Sequence, residues 1–273
     1  YCSPQFSTAW AQEAEDHGAY PTSVPHNDPT HFKGERKVLP QKDNPYVEAF
    51  WRWWPDLYPK LKHFRMTGGE PMMDKNTYKV FEYVIDNPKQ DLHLNVTSNF
   101  CPPAPALGDR YFNMVKTMCD GAMIEHFMQF VSLDAWGEKA EYIRNGMDFS
   151  TVWYNVNRYL TDIQGHNSIT FIITMNNLSV SSLKTLMENI LRLREKYSTT
   201  YQRVWFDTPI LRQPTWQHIG LLDDSFDVYF QEAIDYMKIH HHNTDMVAFR
   251  DFEIAKLQRC YATMKQGLDD KHT

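Results

Sequence analysis

The feature that most constrains this chain is a rhythm. Short alternating or β-branched segments at 63–67, 91–97, 127–133, 168–175 and 203–208 read as strands. Amphipathic segments follow them. Residues 74–86 carry Tyr78, Phe81, Val84 and Ile85 on one face, and 149–163 carry Val152, Val156 and Leu160. Further helices are predicted over 109–118, 181–197, 226–237 and 247–264. Strands alternating with helices predict an α/β fold, a parallel sheet with helices outside it. An open doubly wound sheet and a barrel both fit the rhythm, and in either the chemistry belongs at the C-terminal ends of the strands. Upstream, 3–18 reads as a short helix. Residues 19–46, with Pro21, Pro25, Pro29, Pro40 and Pro45, read as a long loop. A second helix is expected over 46–60, with Val47, Phe50, Trp51, Trp54 and Leu57 as its apolar stripe, and Pro55 is expected to bend or end it.

Composition narrows the function classes. The chain has 273 residues, enough for a sizeable core. Its charge, 28 − 34 = −6, leaves no basic excess for binding nucleic acid through phosphate neutralisation. No stretch approaches the roughly 20 apolar residues of a membrane span. The first ten residues lack the basic start and apolar run of a secretory signal. Four cysteines do not make a disulfide scaffold. Neither nucleic acid nor membrane is therefore expected as a partner.

The strand ends carry the candidate site. The first ends in Thr67-Gly68-Gly69-Glu70-Pro71, where two glycines let backbone approach a ligand closely and Pro71 removes a donor. Such a turn presents carbonyls, which suit an ammonium group; it also reads as a plain strand-to-helix turn. A phosphate loop is disfavoured, because phosphate needs N–H groups and Glu70 adds negative charge. The second strand ends in Thr97-Ser98-Asn99, three small polar groups able to bond a ligand or cap the next segment. The third ends in Ser132-Leu133-Asp134, followed by Glu141-Tyr142-Ile143-Arg144. Arg144 could fork onto a carboxylate or pair on the surface with Glu141. The fourth ends in Thr174-Met175-Asn176-Asn177 and the fifth in Asp207-Thr208-Pro209-Ile210-Leu211.

Taken in order, Gly68-Gly69-Glu70-Pro71, Thr97-Ser98-Asn99, Ser132-Leu133-Asp134 and Glu141-Tyr142-Ile143-Arg144-Asn145-Gly146 resemble the radical S-adenosylmethionine (SAM) superfamily. Within it the chain is most similar to twitch-domain-containing radical SAM proteins, through Cys2-Ser3-Pro4 and the nearby Trp10. The resemblance covers about residues 1–220 and implies a partial (β/α)6 TIM-like barrel. Residues 221–273 would be a C-terminal helical region, the possible start of a twitch-type extension. The family holds a 4Fe–4S cluster on C-x3-C-x2-C. Cys2 fits the last of these ligands. The other two, and the first strand, would lie just upstream of Tyr1, so the chain is expected to be N-terminally truncated.

The same resemblance implies the roles. Backbone of Gly68, Gly69 and Glu70, with Pro71 closing the turn, would take the SAM amino group. Ser132 and Arg144 would hold its carboxylate. Thr97, Ser98, Asn99 and Asp134 would line the site. Thr174 and Asn176 would approach ribose or adenine, and Pro209 and Leu211 would flank the adenine. Cluster and SAM together would give a 5′-deoxyadenosyl radical that abstracts hydrogen from a substrate, plausibly a peptide or protein. The resemblance also implies a one-electron donor such as flavodoxin or ferredoxin and a cytoplasmic setting. A scaffold of the same fold without the cluster, binding but not catalysing, is the alternative.

Other residues draw notice. Trp51, Trp53, Trp54 and the Pro-rich loop are candidate covers for a closed site, or helix-packing aromatics. Cys101, Cys119 and Cys260 could hold an auxiliary cluster or be buried structural thiols. His240-His241-His242 cannot all face one ion from a helix, because consecutive residues point about 100° apart. They read as a solvated helix end, and Met72-Met73 read as core.

Overall fold

The computed structural model describes residues 8–18, 44–240 and 247–268. Cys2, residues 19–43 of the Pro-rich segment, His241 and His242 lie outside the described residues. The chain divides into two compact units, Tyr1–Lys62 and His63–Thr273. This division does not coincide with the boundary expected near residue 220.

The first unit holds α1 (Thr8–His17) and α2 (Pro45–Leu57). Asn44 caps α2, accepting from the Tyr46 N–H at 3.0 Å, and Pro45 occupies the first turn, where its missing donor is harmless. Pro55 was expected to bend or end this helix, which closes two residues after it at Leu57. Pro55 sits in the last turn, and Tyr58 N still reaches Trp54 O, so the chain runs on into a 3-10 turn at Tyr58–Lys60. Trp54 is buried, its ring 5.2 Å from Phe50, 5.8 Å from Trp51 and 5.5 Å from Tyr58. Trp53 is exposed.

The second unit carries β1 (His63–Met66), α3 (Lys75–Asp86), β2 (Lys89–Ser98), α4 (Pro105–Asp120), β3 (Ile124–Ser132), α5 (Glu138–Ile143), α6 (Phe149–Asp162), β4 (Asn167–Ile172), α7 (Leu183–Tyr197), β5 (Val204–Asp207), α8 (Asp227–Ile239) and α9 (Val247–Gln266). The five strands are parallel and lie in chain order, β1-β2-β3-β4-β5. A doubly wound sheet needs a reversal of strand order at a switch point, and this sheet has none. Crossovers in one direction with one hand bring their helices to one face of the sheet.

Strand alternation fixes which residues meet those helices. Leu92, Leu94 and Val96 of β2, Phe127 and Val131 of β3, Ile169 and Phe171 of β4 and Val204 and Phe206 of β5 are all buried. Phe127 lies 6.1 Å from Phe81 of α3 and 6.5 Å from Tyr159 of α6. Each such side chain contributes roughly 1.5–3 kcal/mol when fully buried. Polar residues share this face, among them Ser98, Gln129 and Asn167. Gln129 accepts from Tyr111 Oη at 2.6 Å and donates to Val96 O at 3.2 Å, so it is satisfied.

The outer edge of β5 is covered by α9. Glu253 Oε1 accepts from the Phe206 N–H at 3.1 Å and from Arg194 Nη2 at 2.8 Å, and Arg259 Nη2 donates to Thr208 O at 3.3 Å. An edge that would otherwise invite pairing is thus occupied by side chains. α8 packs on α7 and α9, so the C-terminal helices belong to the same unit as the sheet. Among the described residues no helix is long and apolar enough to cross a membrane.

Among the described residues, packing constrains Gly165 most tightly. A Cβ on Gly165 would lie 2.0 Å from Cys119 O and 2.3 Å from its carbonyl carbon, where the loop before β4 crosses the end of α4. Gly165→Ala is expected to destabilise the chain by about 1–3 kcal/mol, read as a drop in Tm or urea midpoint. A wild-type Tm in this variant would refute the close approach.

Candidate functional site

The C-terminal rim is organised by two carboxylates, Glu70 half-buried and Asp134 buried. Gly68 and Gly69 follow β1 with φ of +90° and +55°, and a Cβ on either would meet nothing within 4 Å. These glycines serve backbone conformation, and the space above them is open. Glu70 folds back under the turn. Its carboxylate accepts from Met72 N at 3.0 Å, Ser98 Oγ at 2.6 Å and Asn99 N at 2.8 Å. Burial pushes its acidity weaker than that of an ordinary glutamate, and the three donors pull the other way. The Gly-Gly turn and the end of β2 are therefore tied together. Pro71 and Met72 are buried beneath, whereas Met73 is exposed and is not the core residue expected.

A second carboxylate organises the middle of the rim. Asp134 is buried, with Oδ2 2.7 Å from Arg144 Nε and Oδ1 accepting from Thr174 N at 2.8 Å. This fixes Arg144, past the short α5, against the end of β4. Arg144 pairs with Asp134, while Glu141 instead accepts from Phe149 N at 2.8 Å. Asn176 is also buried and spent locally, donating to Thr174 O at 2.9 Å and accepting from Leu178 N at 3.0 Å. Beyond it, Met175 N donates to Pro209 O at 2.8 Å and Leu211 N to Met175 O at 3.0 Å, which extends the pairing of β4 and β5.

The expected site residues thus divide. Glu70, Ser98, Asp134 and Asn176 turn their side chains into the protein. Thr97, Asn99, Ser132, Arg144, Thr174 and Pro209 are half-buried at the rim, and Leu211 is buried. Arg65 is a neighbour the sequence reading missed. It donates to Thr97 Oγ1 at 3.1 Å and lies 4.2 Å over the Phe130 ring.

The expected metal ligands fare differently. Cys2 is outside the described residues. Cys101 follows β2, Cys119 is in the last turn of α4 and Cys260 is within α9. Cys119 and Cys260 are buried, and burial pushes the Cys119 thiol up to about 12, so both behave as inert structural thiols. Among the described residues no three His, Cys, Asp or Glu side chains are grouped to hold a metal ion. His240 ends α8 with its ring 4.2 Å from Tyr236.

The sequence reading also missed a cavity on the face of the sheet opposite the buried core. It measures about 590 Å³, and its wall includes His93, His126, His166, Ser168, Trp205 and Glu253. His63 pairs in register with His93, and His93 with His126. Their rings lie 4.6 and 6.1 Å apart. The signal was partly present: His63, His126 and His166 stand at or near strand starts, and parallel register sets His93, midway along β2, between His63 and His126. His126 accepts from or donates to Ser168 Oγ at 3.0 Å. Burial, then the neighbouring His93 and His166, lower its pKa to about 4.

No model of a known protein family matches this chain, and no curated protein matches it.

Two predictions test this geometry. The native protein keeps His126 neutral, whereas the unfolded chain takes up that proton near pH 6.5. Stability from this group is full above pH 6.5 and falls as pH drops toward 4, by roughly 2 kcal/mol after allowance for partial exposure. His126→Gln should flatten the Tm-against-pH curve in that window, and an unchanged slope would refute it. Glu70→Gln replaces one carboxylate oxygen with an amide donor, so at least one of the three donors loses its acceptor. It should cost about 1–3 kcal/mol in urea unfolding, and a neutral result would show that Glu70 does not hold the turn.

Proposed function

We propose that the chain carries the SAM-handling face of a radical SAM protein, built on a partial (β/α)6 barrel. The observation that carries this reading is the pair of hydrogen-bonded rim carboxylates, one half-buried and one buried. Glu70 ties the Gly68-Gly69 turn to Ser98 and Asn99, and Asp134 ties Arg144 to Thr174. Five parallel strands in chain order support the barrel-type sheet.

In this reading the backbone at Gly68, Gly69 and Glu70 accepts from the ammonium group of SAM. Pro71 keeps that turn short of donors. Arg144, supported by Ser132, takes the carboxylate, and a guanidinium suits it because it offers parallel N–H donors. Thr97 and Asn99 line the floor. Thr174, Pro209 and Leu211 run toward the nucleoside. Ser98, Asp134 and Asn176 act beneath the ligand as positioning residues.

The SAM residues present fit their group, with an open glycine turn and a guanidinium fixed at the rim. The described residues supply no thiolate set for a 4Fe–4S cluster, and Cys2 lies outside them, so no step is derived through a cluster. The chemistry that cluster and SAM supply when bound is reductive formation of a 5′-deoxyadenosyl radical. A peptide or protein substrate, a flavodoxin- or ferredoxin-type donor and a cytoplasmic setting complete the proposal.

Equilibrium dialysis of the full chain with labelled SAM tests it. SAM should bind, excess ATP should not displace it, and Arg144→Lys should weaken it about tenfold through loss of the paired donors. No saturable binding, or equal binding in Arg144→Lys, would overturn the proposal. Binding of SAM by a chain that retains no iron after anaerobic reconstitution would favour the non-catalytic scaffold.

A further inference from the structure

Arg65 stands on the face of the sheet opposite the buried core. Parallel register sets it beside Asn95 of β2, and sets Thr97 beside Phe130 of β3. By strand alternation these four side chains share one face and one patch. The chain then runs from Arg65 through Met66 and Thr67 directly into the Gly68-Gly69 turn.

The guanidinium is held at two points. Its Nη2 donates to Thr97 Oγ1 at 3.1 Å, and its carbon lies 4.2 Å from the centre of the Phe130 ring. A ring contact of this kind uses the flat face of a guanidinium and leaves the edge, where the N–H donors lie, for other partners. No acid takes those donors among the described residues. Arg110, Arg144, Arg158 and Arg194 each meet a carboxylate at 3.0 Å or closer, and Arg65 meets none. Glu70, the nearest acid along the chain, is spent on Met72 N, Ser98 Oγ and Asn99 N. Asp91, further down β2, is held by Lys89. Two neutral donors flank the cation. Asn95 is half-buried, with its side-chain amide unclaimed among the described residues. Thr97 accepts from Arg65 and keeps its own hydroxyl proton to give.

We propose that Arg65, Asn95 and Thr97 seat a carboxylate carried by the substrate, an inference that rests on the reading of the rim as a SAM site. One fixed cation with two neutral donors matches the single charge of a carboxylate, and the planar fork of a guanidinium can pair with both its oxygens. A phosphate dianion is disfavoured because the patch holds one Arg and no Lys. The carboxylate of SAM itself is assigned to Arg144, which lies past β3 and is fixed by Asp134.

NMR titration of the isotope-labelled full chain at pH 7.5 tests this. The probes are phenylacetate, phenylacetamide, phenylphosphonate and N-acetyl-Ala-Asp-Ala-amide. The Arg65 Nε–H signal, assigned by its loss in Arg65→Lys, should shift saturably with phenylacetate, and phenylacetamide should bind at least about tenfold more weakly. Tighter binding of the peptide than of phenylacetate assigns the carboxylate to an acidic side chain, and the reverse order assigns it to a small organic acid. Arg65→Lys keeps the charge and loses the fork. It should weaken phenylacetate by about fivefold or more, read on the Asn95 side-chain amide signal, and Asn95→Ala should weaken it several-fold. Both variants should bind SAM as the wild type does, and saturating SAM should leave the phenylacetate affinity unchanged. Phenylacetate bound no tighter than phenylacetamide, a preference for phenylphosphonate, displacement by SAM, or wild-type affinity in Arg65→Lys would each overturn the proposal while leaving SAM binding at the rim intact. Absence of SAM binding with phenylacetate still held by Arg65 would instead overturn the reading of the rim, and with it the link to a SAM-dependent substrate, while the carboxylate seat stands.

Discussion

Parallel pairing in chain order is the constraint on which the second unit depends. Each strand must return to the same end before it pairs again, so every crossover carries a helix over the sheet. With no reversal of order, those helices collect on one side and bury Leu94, Phe127, Phe171 and Phe206 beneath them. The opposite face carries Arg65, Thr97, His126, Ser168 and Trp205. One topological fact therefore separates the helix-covered core from a more polar face.

Buried charge then shapes the loops and edges that hydrophobic burial leaves open. Glu70 and Asp134 each collect donors from more than one strand end, converting two loops into a fixed rim. Arg194 and Glu253 do the same at the β5 edge, where α9 takes the place of a further strand. A buried ion pair adds little net stability, because desolvation offsets attraction. What these pairs provide is position. The Glu253 pair leaves its Oε2 buried with no hydrogen-bond partner among the described residues.

Much of the secondary structure could be read from residue pattern. The strand at 168–175 was recognisable from Ile169, Thr170, Ile172 and Ile173, and it appears as Asn167–Ile172 with a bridge resuming at Met175. The helix at 181–197 was recognisable from its leucine spacing and appears as Leu183–Tyr197. Short α5 was missed because six residues give too little periodicity. At the rim the residue types were legible but their directions were not. Ser98 and Thr97 are neighbours on one strand, yet alternation buries the first and half-exposes the second.

The sequence alone determined that the chain alternates strand and helix, that the sheet is parallel, and that small polar and glycine residues gather at the strand ends. These follow from local periodicity and turn chemistry, which act over a few residues. Tertiary structure decided the strand order, the division at residue 62, the pairing of Arg144 with Asp134 rather than Glu141, and the alignment of His93 with His126. Those depend on contacts between residues tens of positions apart. Register and burial set such contacts, and neither is a property of any single segment.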